Sequence, residues 1–161
     1  MKYLPGILEI KQLEKNSQKQ GTGITYEDLL GIWKLKFVWK QNSDDMDNLS
    51  SSILQVLSAK LELRKESEVD EINFKINNSI NFGLLDFVFS GKASLKGSRP
   101  ILLFYFENFK VNIGKFSILK KSLKKPEEKK FPFFSLISLS KKDNWMCARG
   151  KGGGLAIWIK S

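Results

Sequence analysis

The residues best suited to contact a phosphate lie near the end of the chain, in Arg149-Gly150-Lys151-Gly152-Gly153-Gly154. A phosphate-binding P-loop has the order G-x-x-x-x-G-K-[ST] between a strand and a helix, because its backbone N–H groups cradle the anion. Here the lysine precedes the last glycines, and Leu155 to Ile159 alternates as a strand does. The stretch therefore favours a hairpin turn, with positive φ at Gly150 and at least one later glycine. We expect Arg149 to bond a carbonyl or a carboxylate at the end of its strand.

The thiol of Cys147 is the next candidate for chemistry, since Arg149 follows two residues later on the same face of a predicted strand. A neighbouring cation can lower the pKa of a thiol and activate it as a nucleophile. Catalysis would also need a general base, and the chain contains 0 histidines. The missing imidazole argues against Ser-His-Asp or Cys-His catalysis and ordinary zinc sites. We therefore predict a plain, semi-buried cysteine, no metal, no cofactor and no enzymatic activity.

Three acidic residues, Asp44, Asp45 and Asp47, raise the possibility of a calcium loop. Such a loop needs a central glycine and a distal glutamate, and neither is correctly placed here. The pattern instead predicts an acidic, solvated loop over residues 42–52.

Residues 33–40 contain the clearest periodic pattern of the chain. Trp33, Leu35, Phe37 and Trp39 alternate with mostly basic residues, which predicts a half-buried strand with a large apolar face. That face is either packed core or the wall of an apolar cavity, because narrow barrels fill their interior and wider ones hold a ligand. The candidate ligand-binding residues are Trp33, Phe37, Trp39, Arg149 and Trp158.

A long basic loop is predicted from Lys120 to Lys130. Lysines beside aromatic residues suit a membrane interface, where the lysines meet lipid headgroups and a phenylalanine inserts. The alternative is a solvated loop that leads into a core strand. The candidate membrane-surface residues are Lys124, Lys125, Lys129, Lys130 and Phe131.

The elements that would position these residues are mainly strands. From residue 72 onward short strand patterns follow one another without intervening helices, which predicts an antiparallel barrel or sandwich. Apolar spacing within residues 3–19 predicts a short amphipathic helix, and Thr25 with Asp28 forms an N-cap pattern. The expected organisation is a helix and linker over 1–23 and a single β domain over 24–161.

Two local assignments are less regular. The spacing from Ile53 to Leu63 favours a helix that runs into a strand, and Asn77-Asn78 is typical of a turn.

Composition limits the class of protein. The 161 residues carry a net charge of +10, from 24 lysines but only 3 arginines. Proteins that read nucleic acid usually use arginine for base and phosphate contacts. An excess made mostly of lysine is explained equally well by codon drift in an AT-rich genome. We recognise no secretory signal, and the longest apolar run, Ile101 to Phe106, is too short to span a membrane. With one cysteine, the chain fits a reducing cytoplasm.

Two segments resemble the plastid lipid-associated proteins, or plastid fibrillins. Leu30-Gly31-Ile32-Trp33-Lys34-Leu35 is similar to the family's opening Leu-x-Gly-x-Trp-x-Leu pattern, and Arg149-Gly150 with the following glycines is similar to its closing Arg-Gly-x-x-Gly. The Tyr-Leu-Asp element that family members carry before that closing pattern is replaced here by Asp143-Asn144-Trp145-Met146-Cys147. The resemblance covers about residues 24–161 and suggests a cyanobacterial-type member.

The resemblance implies a lipocalin-like (calycin-like) barrel with one or two short N-terminal helices. It also implies a non-catalytic protein that binds a lipid, isoprenoid or prenyl-quinone at the cytoplasmic side of the thylakoid membrane, or in the cytoplasm. Two other classes stay open: a basic nucleic-acid-binding module and a bilin lyase of lipocalin-like fold. The scarcity of arginine and the inward aromatic face argue against nucleic acid as a partner.

Overall fold

The structure is a computed structural model that describes residues 3–41, 59–66 and 73–161. The predicted acidic loop at 42–52, with Asp44, Asp45 and Asp47, and the predicted helix beginning at Ile53 lie outside the described residues. Strands account for 57% of the described residues, which confirms the expectation of a mainly β protein.

Two helices precede the strands of the described residues. The elements are α1 Ile7–Gln20, α2 Tyr26–Leu29, β1 Gly31–Trp39, β2 Lys60–Lys65, β3 Asn73–Phe82, β4 Leu85–Lys96, β5 Ile101–Ile113, β6 Phe116–Ser122, a 3-10 turn at Glu128–Lys130, β7 Phe133–Ser140, β8 Trp145–Gly150 and β9 Leu155–Lys160. The predicted amphipathic helix corresponds to α1. The predicted N-cap pattern is a capping box at the start of α2, where Thr25 and Asp28 exchange hydrogen bonds.

All strands belong to one antiparallel sheet with a ring-like closure. The strand order is β4-β3-β2-β1-β9-β8-β7-β5-β6, and an additional pairing of β4 with β5 closes the sheet on itself. Eight strands therefore form a ring, and β6 lies outside it. The long strand β5 makes this possible, because Ile101–Leu103 pairs with β7 whereas the far end, from Asn108, pairs with β6.

The inner face of the ring holds the larger of two apolar clusters. Its buried members include Trp33, Phe74, Phe104 and Met146, contributed by strands on all sides of the ring. Helix α2 adds Tyr26 and Leu29 to the same cluster. Most of the interior is therefore packed core.

The outer face of β1, β7, β8 and β9 carries the second cluster, which α1 covers. Ile10 of α1 packs with a set of buried strand residues: Trp39, Ile137, Trp145, Cys147, Leu155 and Ile157. Because neighbouring strand residues point to opposite faces, β9 directs Leu155 and Ile157 toward α1 and Trp158 toward the ring interior.

A β-bulge in β1 reverses which side chains face inward. The pairing with β9 runs from Leu35↔Trp158 directly to Phe37↔Ile157, so the intervening residue is unpaired. As a result Trp33 and Leu35 face the interior, whereas Phe37 and Trp39 face α1. The prediction that one apolar face contains Trp33, Leu35, Phe37 and Trp39 is therefore wrong for Phe37 and Trp39.

The predicted turn at Asn77-Asn78 and a glycine at position 91 both lie inside strands. Asn77 and Asn78 are in the middle of β3, and the Asn77 side-chain amide donates to Glu62 across the strand pair at 3.2 Å, so the predicted turn is wrong. Gly91 lies within β4 at a bulge opposite β5. A Cβ at Gly91 would be 2.0 Å from the carbonyl oxygen of Tyr105, so the close approach of the two backbones requires glycine.

Part of the sheet continues beyond the ring. The last pairing of β3 with β2 is Ser79↔Lys60, and residues 80–89 and 108–122 lie near and beyond that end of β2 as four paired strand segments. We call these residues the arm. Cross-strand rows such as Phe87↔Val111↔Leu119 share one face, which continues the inner face of the ring and is mostly apolar.

Candidate functional site

The ring interior contains a cavity of about 180 Å³ at the end nearest the arm. Its wall is mainly apolar, with two polar groups, and is formed by Leu35, Ala59, Lys60, Leu61, Asn78, Ile80, Phe134 and Trp158. This cavity is the candidate binding site, because an apolar concave wall with a few polar groups is the usual character of a small-molecule site.

Trp158 is positioned in this wall by the pairing of the first and last strands. It lies opposite Leu35 and meets the ring of Phe134 edge-on, with 5.1 Å between ring centres. The indole is buried, so it is held by its neighbours and still faces the cavity.

The cavity alone is small compared with typical ligand sites of roughly 300–1,000 Å³. Its wall, however, continues without interruption onto the inner face of the arm, since Ile80 belongs to both. Next along that face are Phe89 and Phe109, whose ring centres are 4.7 Å apart. An elongated apolar molecule could therefore start in the cavity and continue along the arm.

Trp33 occupies the opposite end of the interior and is core. Only 1% of it is exposed, and its indole N–H donates to the carbonyl oxygen of Leu29 at 2.8 Å. The Lys160 ammonium lies 5.0 Å from the centre of the Trp33 ring and also donates to the Asp28 carbonyl oxygen at 3.2 Å. Helix α2 and these contacts close this end of the ring.

Phe37 and Trp39 lie on the outer face beneath α1, away from the cavity. The structure therefore brings Trp158 to the candidate site but does not bring Phe37, Trp39 or Trp33 to it. The bulge in β1 is the physical reason for the difference between Phe37 and its neighbour Leu35.

Arg149 also lies on the outer face and is fully engaged there. Its guanidinium donates to both carboxylate oxygens of Glu14, at 2.7 and 2.6 Å, and to the carbonyl oxygen of Gly153 at 2.5 Å. These hydrogen bonds hold the pKa of Glu14 below its ordinary value despite its burial. The predicted bond from Arg149 to a carboxylate and a carbonyl is confirmed.

The glycine-rich stretch forms the β8–β9 hairpin connection, as predicted. Gly153 has a φ of 86°, whereas Gly150 is at the end of β8 without positive φ, so the expectation for Gly150 is wrong.

Cys147 is completely buried under α1, more deeply than the predicted semi-buried position. Burial raises the pKa of the thiol to about 12, so the sulfur is protonated at neutral pH.

The predicted basic loop is divided between a strand and a short turn. Lys120 and Lys121 belong to β6, and Lys124 and Lys125 follow it. Phe131 is only 8% exposed, because its ring packs against Tyr105 with 4.9 Å between centres. The structure thus places the Phe131 ring beneath the protein surface, where it is not available for insertion into a membrane.

The lysines around Phe131 have partners of their own. Lys129 and Lys130 approach the Glu127 carboxylate at 3.2 and 3.7 Å, and the Lys125 ammonium lies 4.6 Å from the centre of the Tyr105 ring. Part of the positive charge of this segment is therefore balanced locally.

A larger cavity, of about 390 Å³, lies on the outer side of β4 and β5 near Phe131. Its main charged groups already pair with each other, since the Lys92 ammonium is 2.8 Å from Glu66, which raises the pKa of that lysine. We favour the smaller interior cavity as the binding site because its wall is mainly apolar and includes a single charged side chain, that of Lys60.

Within the residues that the structure describes, no group of three His, Cys, Asp or Glu side chains is arranged to hold a metal ion. No helix in the same part of the chain has the length and apolar character needed to cross a membrane.

The arm was not anticipated from the sequence as a surface. A usable signal was present, since residues 108–126 contain six lysines and no acidic residue while alternating with apolar residues.

The chain matches no protein-family model, no curated protein and no solved structure.

Proposed function

We propose that this chain is a non-catalytic carrier or binder of a lipid or isoprenoid tail. The observation that supports the proposal is the cavity beside Trp158, whose apolar wall continues onto the inner face of the arm. The resemblance to plastid lipid-associated proteins favours the same ligand class, a lipocalin-like mode of binding, and association with a thylakoid membrane.

An apolar tail would gain free energy by covering this surface. Each buried methylene contributes about 0.8 kcal/mol, and the inner face of the arm is now only partly covered. The carbons next to the polar end would occupy the cavity between Leu35, Phe134 and Trp158, and the following carbons would lie against Phe89 and Phe109.

The polar groups of the cavity suit the polar end of such a ligand. Lys60 supplies an ammonium and Asn78 an amide at the cavity wall. An ammonium and an amide N–H donate to carboxylate, phosphate or quinone oxygens, so a fatty acid, a phospholipid or a prenyl-quinone could each be accepted.

The chemistry of the arm gives less support to nucleic acid. The cross-strand pair Lys110↔Lys120 lies on the outer face of the arm, whereas the aromatic rings lie on the inner face with a single lysine of the arm's strands, Lys121 opposite Phe109. Single-strand binders instead combine a cationic groove with stacking rings on the same surface.

A tryptophan-fluorescence titration with a long-chain fatty acid and a short-tailed prenyl-quinone tests the proposal. Ala59→Phe places a ring in the cavity without removing any core side chain and should weaken binding at least tenfold. Leu8→Phe, on the exposed side of α1, is the matched control and should bind like the wild type. The proposal is wrong if neither ligand changes the fluorescence, or if Ala59→Phe binds as tightly as the control.

A further inference from the structure

The arm ends in two adjacent hairpin turns with exposed apolar side chains. Leu84 lies in the β3–β4 turn and Phe116 begins β6, and each is 77% exposed. The N–H of Gly114 donates to the carbonyl oxygen of Leu84 at 3.1 Å, so the two turns are joined into one tip.

The arm also concentrates the exposed apolar surface of the protein. Of the nine large apolar side chains that are exposed among the described residues, six belong to it: Phe82, Leu84, Ile113, Phe116, Ile118 and Leu119. Scattered exposed apolar residues are ordinary, but a contiguous patch of this kind marks an interaction surface.

Four lysines surround the apolar tip: Lys110, Lys115, Lys120 and Lys121. None of them forms an ion pair with any residue that the structure describes. Lys110 lies directly opposite Lys120, an arrangement of like charges that is unfavourable unless an anion is nearby. A cavity of about 240 Å³ is lined by Lys110, Lys120 and Lys121 together with Asn108, Phe109 and Ser122.

The spacing of apolar and basic residues along the arm fits the depth profile of a lipid surface. Lys110 is three residues from Ile113, and Lys120 is four residues from Phe116. At about 3.3 Å per strand residue, the lysines lie roughly 10–13 Å behind the tip. Apolar groups of peripheral proteins enter the interface to about 5–10 Å, which would place these lysines at the headgroup phosphates.

We propose that the tip of the arm inserts into an anionic lipid surface, with Lys110, Lys120 and Lys121 binding the headgroups. This surface differs from the predicted membrane segment, since Phe131 is buried and Lys129 is paired with Glu127. The inference does not depend on what the interior cavity holds.

Two other occupants fit the arm less well. A second copy pairing through the edge strand β6 would bring two lysine-containing strands together, and edge lysines normally prevent such pairing. A nucleic acid would need stacking rings along a cationic groove, whereas the exposed rings of Phe82 and Phe116 share the tip with aliphatic side chains, those of Leu84, Ile113 and Ile118.

Binding of the full chain to vesicles tests the inference, with phosphatidylcholine alone compared with phosphatidylcholine containing phosphatidylserine. We expect binding to the anionic vesicles only, weakening as the salt concentration rises. Each headgroup lysine contributes about a fivefold change in affinity, so Lys110→Gln, Lys120→Gln and Lys121→Gln together should weaken binding roughly 100-fold. The matched charge control combines Lys124→Gln, Lys129→Gln and Lys130→Gln and should retain most of the binding.

The apolar contribution has an equally close control. Leu84→Ser should weaken vesicle binding at least fivefold, whereas Leu8→Ser, at a leucine that is 74% exposed on α1, should not. The urea unfolding midpoint of each variant shows whether the fold is intact.

The inference is overturned if the wild type does not bind anionic vesicles, if both lysine triples lose binding equally, or if the wild type binds single-stranded DNA instead. A concentration-dependent dimer that Leu84→Ser abolishes would also overturn it in favour of a second copy. Ala59→Phe should bind vesicles like the wild type, so failure of the ligand proposal can be distinguished from failure of this one.

Discussion

Glu14 on the first helix and Arg149 at the end of β8 form a bidentate ion pair across 135 residues of sequence, with N–O distances of 2.7 and 2.6 Å. A second arginine, Arg99, approaches the same carboxylate at 3.9 Å. The helix that covers the outer apolar cluster is therefore also attached to the sheet by a polar contact, which explains why a charged residue is buried on its inner face.

Replacing Glu14 with Gln should destabilise the protein by about 1.5–3 kcal/mol. The change removes the negative charge and one of the two acceptor oxygens, so the Arg149 guanidinium, which is 30% exposed, keeps its bond to the Gly153 carbonyl oxygen and at most one neutral bond to the amide. Urea unfolding measures the loss. Glu127→Gln breaks an ion pair between exposed side chains and should change stability by less than about 1 kcal/mol, so equal losses in the two variants would contradict the assignment.

The contribution of Glu14 should also depend on pH. Because Arg149 lowers the pKa of the folded carboxyl below its ordinary value of 4.5, the ion pair stabilises the fold above pH 4.5. That stabilisation is lost as the pH falls from 4.5 through the lower folded pKa. The difference in unfolding free energy between the wild type and Glu14→Gln should therefore be constant from pH 7 to 5 and shrink at lower pH. A difference that stays constant down to pH 3 would show that the pKa is not lowered.

The strand content, α1, the capping box and the closing hairpin could be predicted because each depends on local sequence. Period-2 alternation, the Thr25–Asp28 spacing and consecutive glycines act over a few residues, and the structure confirms each of them. The bulge in β1 could not be predicted in this way, because it is defined by pairing with a strand more than 100 residues away. One unpaired residue is enough to move Phe37 and Trp39 from the expected cavity wall to the other face.

The arm could not be predicted either, because it also depends on pairing between strands. Ile101 to Phe106 and Phe109 to Ile113 look like separate strand patterns, since Glu107 and Asn108 interrupt the apolar alternation. In the structure both belong to β5, and the register shift opposite Gly91 accommodates the extra residue. Whether two short patterns make two strands or one long strand is decided by the partner strand β4.

Gly91→Ala should destabilise the fold by about 2 kcal/mol or more. The added methyl group would overlap the Tyr105 carbonyl oxygen, and backbone on both sides of the bulge would have to move. Gly152→Ala is the control, because a Cβ at Gly152 meets no atom within 4 Å. Thermal unfolding of the two variants compares them. A Gly91→Ala variant as stable as Gly152→Ala would show that β4 and β5 are not in this close contact.

Cys147 should be unreactive toward thiol reagents in the native protein. Its side chain is fully buried beneath α1, and a pKa of about 12 leaves almost no thiolate at pH 8. Labelling with a thiol-specific reagent should therefore be slow in buffer and complete in urea. The control is Ser122→Cys, at an exposed residue of β6, which should add a second, faster-reacting thiol. Rapid stoichiometric labelling of the native wild type would contradict the placement of Cys147.

The final prediction separates the four tryptophans by their position relative to the cavity. Trp158 lines the cavity, Trp33 lies at the closed end of the ring, and Trp39 and Trp145 lie under α1. A bound apolar tail changes the surroundings of the Trp158 indole directly, because it replaces solvent in the cavity beside Leu35 and Phe134. Trp158→Phe should therefore lose most of the ligand-dependent fluorescence change, while Trp39→Phe, equally aromatic but on the outer face, should retain it. Equilibrium dialysis with the same ligand distinguishes a variant that no longer binds from one that binds without a change in fluorescence. If Trp39→Phe loses the response and Trp158→Phe keeps it, the ligand binds under α1 and not inside the ring.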